Sequence, residues 1–186
     1  MFPSIRRVPS LAVALSALAA LAAPAAAQAQ GCTNTNLKPT RANLEAVRAA
    51  VLCLHNQERA RHGLPALREN PRLRRAAAQH SEHMVGAHFF DHTTPGGATM
   101  LDRIRRTGYT SGAHAWSVGE NIAWGSGRLA TAAQIQRSWM RSPGHRANIL
   151  QRSFREIGIG VQAGVPVRLS ASQSGATYTT DFGFRR

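Results

Sequence analysis

The sequence predicts an α+β domain, and three observations predict it. Apolar residues recur at helical spacing through the first two-thirds of the chain, as in Leu44, Val47, Val51 and Leu54. The last third switches to period two, with Ile157, Ile159 and Val161 and later Tyr178, Thr180, Phe182 and Phe184 alternating with other residues. No internal repeat interrupts this order. Helices followed by a small antiparallel sheet make an α+β sandwich.

The chain has 186 residues, enough for one domain. Its opening is read as a leader: Arg6 and Arg7 precede an apolar run from Leu11 to Ala23, followed by Ala25, Ala26, Ala27 and Ala29. That is the pattern of a secretory signal peptide, residues 1–27, with cleavage after Ala27 or Ala29. The run falls short of the ~20 residues a membrane span needs, and Pro24, Gln28 and Gln30 favour cleavage, so the protein is read as not membrane-spanning. Gly31 before Cys32 suits a lipid anchor, but Gln30 spoils the triplet upstream, which argues against lipidation. Residues 28–42 read as a polar N-terminal arm and 43–186 as the domain.

Within the domain the spacing predicts a helix over Asn43–His62, ended by Gly63. Asn70 with Pro71 opens a second helix as N-cap and first residue. Leu73, Ala77, His80 and Met84 form its apolar stripe, so His80 reads as a core histidine and His83 as a lateral one. Shorter helices are predicted over Thr99–Thr107 and Leu129–Met140, and a strand around Gly119–Trp124. Turn signals fall at Ala163–Gly164 and Ser172–Gly175. Trp124 and Trp139 are assigned to the core, and Trp116, in a loop of Gly, Ser and His, to the edge of a cleft.

Lys and Arg number 23 against 9 acidic residues, and Lys38 is the one lysine. Such a chain attracts anionic surfaces. Its arginines (Arg72, Arg74, Arg75, Arg103, Arg105, Arg106, Arg185 and Arg186 among them) are dispersed, which reads as a solvated basic surface. Export excludes nucleic acid as a natural partner. Cys32 and Cys53 are expected to pair in an oxidising compartment, the alternative being two free thiols with Cys53 buried.

Eight histidines must be weighed. In Ser142-Pro143-Gly144-His145, Ser142 suits an N-cap and Pro143 the first helical position. His145 then sits third, where a helix N-terminus disfavours the imidazolium and leaves a neutral ring able to bind metal or accept a proton. A histidine that only hydrogen-bonds is the plainer alternative. There is no His-Glu-x-x-His helix and no Gly-x-Ser-x-Gly elbow, so neither a zincin protease nor a serine hydrolase is supported.

The blocks His55-Asn56-Gln57-Glu58-Arg59, Gly63-Leu64-Pro65-Ala66-Leu67 and His80-Ser81-Glu82-His83-Met84 resemble the bacterial CAP, or SCP, domain of the cysteine-rich secretory and pathogenesis-related proteins. So do Phe89-Phe90-Asp91-His92-Thr93-Thr94-Pro95, Gly119-Glu120-Asn121-Ile122-Ala123, Ser142-Pro143-Gly144-His145-Arg146 and Asp181-Phe182-Gly183. Each block alone is weak, but together, in order from Leu44 to Phe184, they are specific. The resemblance implies a three-layer α-β-α sandwich with an open cleft lined by two histidines and two acidic residues.

By motif, His92 and His145 match the histidines, the pair that would hold zinc or another divalent metal, weakly, and Glu120 matches one acid. Asn121 and Ser142 stand beside them in the cleft. The second acid, on the helix carrying Trp139, has no counterpart, since no Asp or Glu occurs between Glu120 and Glu156. With two protein ligands, a metal site is weak. With one carboxylate, paired acid/base chemistry loses support.

Three functions follow from the resemblance. The first is an exported protein, secreted or periplasmic, that binds a lipid, wall component or protein partner at the cell envelope through the His/Glu cleft. The second is a metal-assisted hydrolase of peptide or wall polymer, using His92, Glu120 and His145. The third is a structural envelope protein with a vestigial cleft.

Overall fold

The structure, a computed structural model, describes residues 31–167 and 174–186. The segment expected to be a leader, residues 1–27, and half of the turn expected at Ser172–Gly175 lie outside the described residues.

Among the described residues, five α-helices and a four-stranded sheet make up the fold: α1 (Leu44–Arg61), β1 (Arg68–Glu69), α2 (Pro71–Gly86), α3 (Met100–Arg106), β2 (Trp116–Ser126), α4 (Ala132–Arg141), α5 (Pro143–Ile149), β3 (Glu156–Ala163) and β4 (Gly175–Arg185). The sheet order is β1-β3-β4-β2. The three long strands pair antiparallel, as expected, while β1 joins β3 in parallel. β1 is only two residues long, too short to leave a period in the sequence. β2 forms the free edge opposite it.

Local chemistry sets the helix ends. Gly63 at φ 63° follows α1, the Gly63 N–H bonds to the Ala60 carbonyl and the Leu64 N–H to the Arg59 carbonyl. These two bonds are a Schellman motif, and glycine tolerates its left-handed residue at no steric cost. Asn70 caps α2 by accepting from the amides of Arg72 and Leu73, with Pro71 at the first position. Thr99 and Asp102 form a reciprocal capping box on α3. Two expectations need correction. The helix expected from Leu129 starts as a 3-10 turn at Gly127–Ala130, and α4 begins at Ala132. Ser142 occupies the N-cap of α5, but its side chain makes no capping bond.

One face of the sheet carries Ile157, Ile159, Tyr178 and Phe182, which pack against Val47 and Val51 of α1, Ile135 and Trp139 of α4 and Ile149 of α5. Glycines at 158 and 160 lie on the opposite face, against the backbone of α2 at Leu73–Arg74 and Ala77–Ala78. Ser81 of α2 donates there to the Thr179 hydroxyl at 2.9 Å. Helices therefore cover both faces.

Cys32 and Cys53 are joined, tying the arm to α1. The arm also accepts, at the Thr35 carbonyl, from the Ala133 amide at 2.9 Å, one of the free N–H groups at the start of α4. Arg59, fully buried, donates to the carbonyls of Pro65, Ile149, Gln151 and Phe154 at 2.8 to 3.0 Å. It thereby anchors the end of α5 and the loop leading to β3 onto α1.

Candidate functional site

The site forms across the free edge of the sheet. On β2, side chains alternate faces: Glu120 points toward α2 and the loop that follows it, and Asn121 toward α5. The loop after α2 supplies His92 and Phe90, and α5 supplies His145.

Glu120 organises the first half. Its side chain is 2% exposed, and a buried carboxylate survives only if paired. His92 Nδ1 donates to Oε1 at 2.7 Å, and Arg103 Nη2 donates to Oε2 at 2.5 Å. Arg103 also donates through Nη1 to the His92 carbonyl at 2.7 Å and to the Ala98 carbonyl at 3.2 Å, tying the histidine's loop to α3. Burial pushes the Glu120 carboxyl upward, but the His92 hydrogen bond and the Arg103 charge outweigh it and hold it below the usual carboxylate range. The Glu120 hydrogen bond in turn raises His92. This bond fixes the proton on Nδ1 of the neutral ring and turns Nε2 outward, on a side chain that is 54% exposed.

The second half is held by amides. Asn121 Nδ2 donates to the His145 carbonyl at 3.0 Å, and its Oδ1 accepts from Asn148 Nδ2 at 2.9 Å. Asn148 also donates to the Glu120 carbonyl at 3.1 Å. Asn121 is fully buried, so it positions α5 instead of presenting a group to the cleft. His145 is half-buried; burial first, and then the His92 charge, lower its pKa. The direction is the one expected of His145, but the largest cause is burial, not the short helix.

Beside these groups runs a groove of about 270 Å³, lined by Phe90, Ile122, Trp124, Trp139, Ser142 and His145 among others. Its wall is chiefly apolar. Trp124, expected in the core, is half-buried and lines this groove, whereas Trp139 is buried and donates to the Ile122 carbonyl at 3.2 Å. Trp116 does not line the groove; it lies under the Arg105 guanidinium at 5.6 Å.

Two participants escaped the sequence reading. Arg103, assigned to the solvated surface, is 6% exposed and is the counter-charge of Glu120. Nothing in its immediate sequence separates it from Arg105 and Arg106. Asp181 stands opposite Glu120 in the β2–β4 register and is fully buried. It is an acid close to Glu120, but it does not face the groove. His80, as expected, is a buried core residue, its Nε2 paired with the Asp91 carbonyl at 3.0 Å.

A metal would find Nε2 of His92 and one ring nitrogen of His145. Both oxygens of Glu120 are engaged. Among the described residues no group of three or more His, Cys, Asp or Glu is placed to hold an ion. Catalytic zinc normally has three protein ligands, so this donor set does not fit a resident metal.

Comparison with known proteins gives the class of this helix-covered sheet with a histidine and a buried glutamate at its free edge. Residues 52–166 match the cysteine-rich secretory protein family, CAP, and the chain belongs to that family. It is 33% identical over 139 residues to the uncharacterised protein YkwD of Bacillus subtilis (strain 168), covering 75% of this chain and 51% of that protein. It thus spans about half the length of that curated relative. The crystal structure of an extracellular SCP-domain protein from Bacillus anthracis superposes with a TM-score of 0.59 at 27% identity, covering 81% of this chain and 45% of that one. An outer surface protein of Borrelia burgdorferi superposes with a TM-score of 0.56 at 17% identity, covering 80% of this chain and 96% of that one, and shows a shared fold.

Proposed function

We propose that this is an exported, non-enzymatic binding protein of the cell envelope that takes an amphipathic envelope lipid in the groove at the edge of β2. The observation that carries the reading is the joining of an apolar wall (Phe90, Ile122, Trp124) to a polar end formed by His145, with His92 next to it. Ligand sites commonly combine a mostly apolar lining with a few fixed polar groups. Here Arg103 and Glu120 fix His92, and Asn121 fixes the backbone of His145. An acyl chain would lie over Trp124 while the histidines meet an anionic headgroup.

Export is supported by the leader pattern, by the Cys32–Cys53 disulfide and by likeness to an extracellular and an outer surface protein. The hydrolase reading is disfavoured because, among the described residues, no carboxylate lines the groove. Glu120 is saturated by His92 and Arg103, and Asp181 is buried.

The test is titration of the purified protein with a fluorescent fatty acid, with and without EDTA, alongside incubation with solubilised wall polymer. Binding is expected to saturate, to ignore the chelator and to weaken about tenfold in Trp124→Ala. Polymer turnover that disappears in His145→Ala would establish the hydrolase instead. Neither binding nor turnover would leave the structural role.

A further inference from the structure

We propose a second ligand site, far from the histidines, that binds an organic phosphate in a basic cavity beside β1. The cavity, about 580 Å³, is lined by Arg68, Arg155 and Arg185, with Glu156, Phe184 and Pro65 among its other walls. That volume lies within the range of small-ligand pockets, roughly 300–1,000 Å³.

Its charge is not cancelled internally. Three guanidinium groups face one carboxylate, and that carboxylate is already engaged. Glu156 Oε1 accepts from Asn70 Nδ2 and Oε2 from the Tyr109 hydroxyl, each at 2.7 Å. Arg185 comes no closer than 3.9 Å to Oε2 and is steered by the Tyr109 carbonyl (3.2 Å) and ring (5.3 Å). Arg155 is held by the carbonyls of Arg152 and Phe154 at 2.5 and 2.9 Å, contacts that orient it without neutralising it. The Arg68 side chain has no hydrogen-bond partner among the described residues, which leaves its whole fork for a ligand.

Guanidinium groups recognise phosphate by paired, charge-assisted hydrogen bonds, and Arg suits this better than Lys. Three of them lining one cavity select an anionic phosphoryl group. Phe184 and Pro65 offer an apolar surface to the organic part. A phosphorylated polyol and a phospholipid headgroup share this chemistry.

The test is NMR titration of the ¹⁵N-labelled protein with glycerol 3-phosphate, glycerol, and vesicles of phosphatidylglycerol or phosphatidylcholine. Glycerol 3-phosphate, but not glycerol, is expected to shift the amides of Arg68, Arg155 and Phe184 saturably. The double variant Arg68→Gln/Arg185→Gln should weaken binding at least about tenfold. Arg128→Gln, a control elsewhere, should change it by less than about twofold. If the double variant does not fold, Arg68→Gln alone decides, because that side chain supports nothing else. Phosphatidylglycerol binding lost in the same variants, without a response to glycerol 3-phosphate, would assign the headgroup as the source. No binding by either, shifts centred on His92 and His145, or equal weakening by Arg128→Gln would overturn the site.

Discussion

Glu120 and Asp181 face one another across the β2–β4 ladder, and their carboxyls are pushed in opposite directions. Glu120 has His92 and Arg103 as partners and stays ionised. Asp181 is fully buried, and neither of its oxygens has a hydrogen-bond partner among the described residues. Burial first, and then the negative charge of Glu120, push Asp181 well above the ordinary carboxylate range. Arg103 is paired with Glu120, and among the described residues Asp181 has no such counter-charge in contact with it.

Asp181 therefore costs stability at neutral pH. The unfolded chain releases this proton near the ordinary aspartate value while the folded chain keeps it, so stability falls as pH rises from about 4 towards the raised folded value. Asp181→Asn keeps the shape and removes the titration. It should be more stable than wild type at pH 7 and no more stable at pH 3.5, as measured by urea unfolding at both. A variant less stable than wild type at pH 7 would show that an ionised Asp181 is needed.

Two buried histidines act in the opposite pH direction. Burial lowers His55 to about 3 and His80 to about 4, from an ordinary 6.5. Both rings stay neutral in the folded protein while the unfolded chain protonates them below pH 6.5. Their contribution is present above pH 6.5 and drains away as pH falls towards 4. Between pH 6 and 4.5 the unfolding free energy should drop by roughly 2–3 kcal/mol per pH unit from these two rings. Denaturant titrations at half-unit steps in the Asp181→Asn background, where the opposing carboxyl no longer titrates, would measure it, and a flat profile there would place the rings in water.

Much of the fold was legible because its determinants are local. Asn70-Pro71, Gly63 and the alternation of β3 and β4 each specify backbone geometry over a few residues. The candidate site was half legible. His92, Glu120 and His145 came through motifs, but motifs do not report burial. Arg103 lies on an amphipathic helix beside two more arginines, and only the distant Glu120 distinguishes it. Asp181 sits at an alternating position whose face is known from the period, yet nothing local reveals that α2 covers it. Trp124 was placed in the core on its size, whereas its position on a free edge strand leaves one side open.

The disulfide closes a loop with a sequence separation of 21. Loop-closure entropy puts its contribution at about 3 kcal/mol. Cys32→Ser/Cys53→Ser should lose about that amount in urea unfolding, with the arm released from α1. Equal stability of oxidised and reduced protein would mean that the Thr35–Ala133 and Leu37 contacts hold the arm unaided.

Gly160 permits the close approach of α2 to the sheet. A Cβ there would collide with the backbone of Ala77 and Ala78, which cannot step aside as a flexible side chain does. Gly160→Ala should cost about 1–3 kcal/mol or more, and Gly144→Ala, whose Cβ would meet nothing within 4 Å, should be tolerated. Thermal unfolding of the pair checks the contrast. Equal midpoints would mean that helix and sheet are not packed at this distance.

His92 reports whether the Glu120 link exists in solution. The carboxylate raises the ring above 6.5, so the link stabilises the fold below that pH and its contribution is lost as pH rises through the folded value. In Glu120→Gln the hydrogen bond loses its charge and the Arg103 charge remains, so His92 should titrate below its wild-type value. The same change should leave Arg103 buried without a counter-ion and lower stability by several kcal/mol, on the order of the 3–5 expected when a buried pair is broken. An NMR titration of the ring resonances reads the first effect and urea unfolding the second. His145, lowered in part by the His92 charge, should rise as His92 loses its proton more easily. Unmoved resonances on both rings would separate the two histidines and dissolve the polar end of the groove.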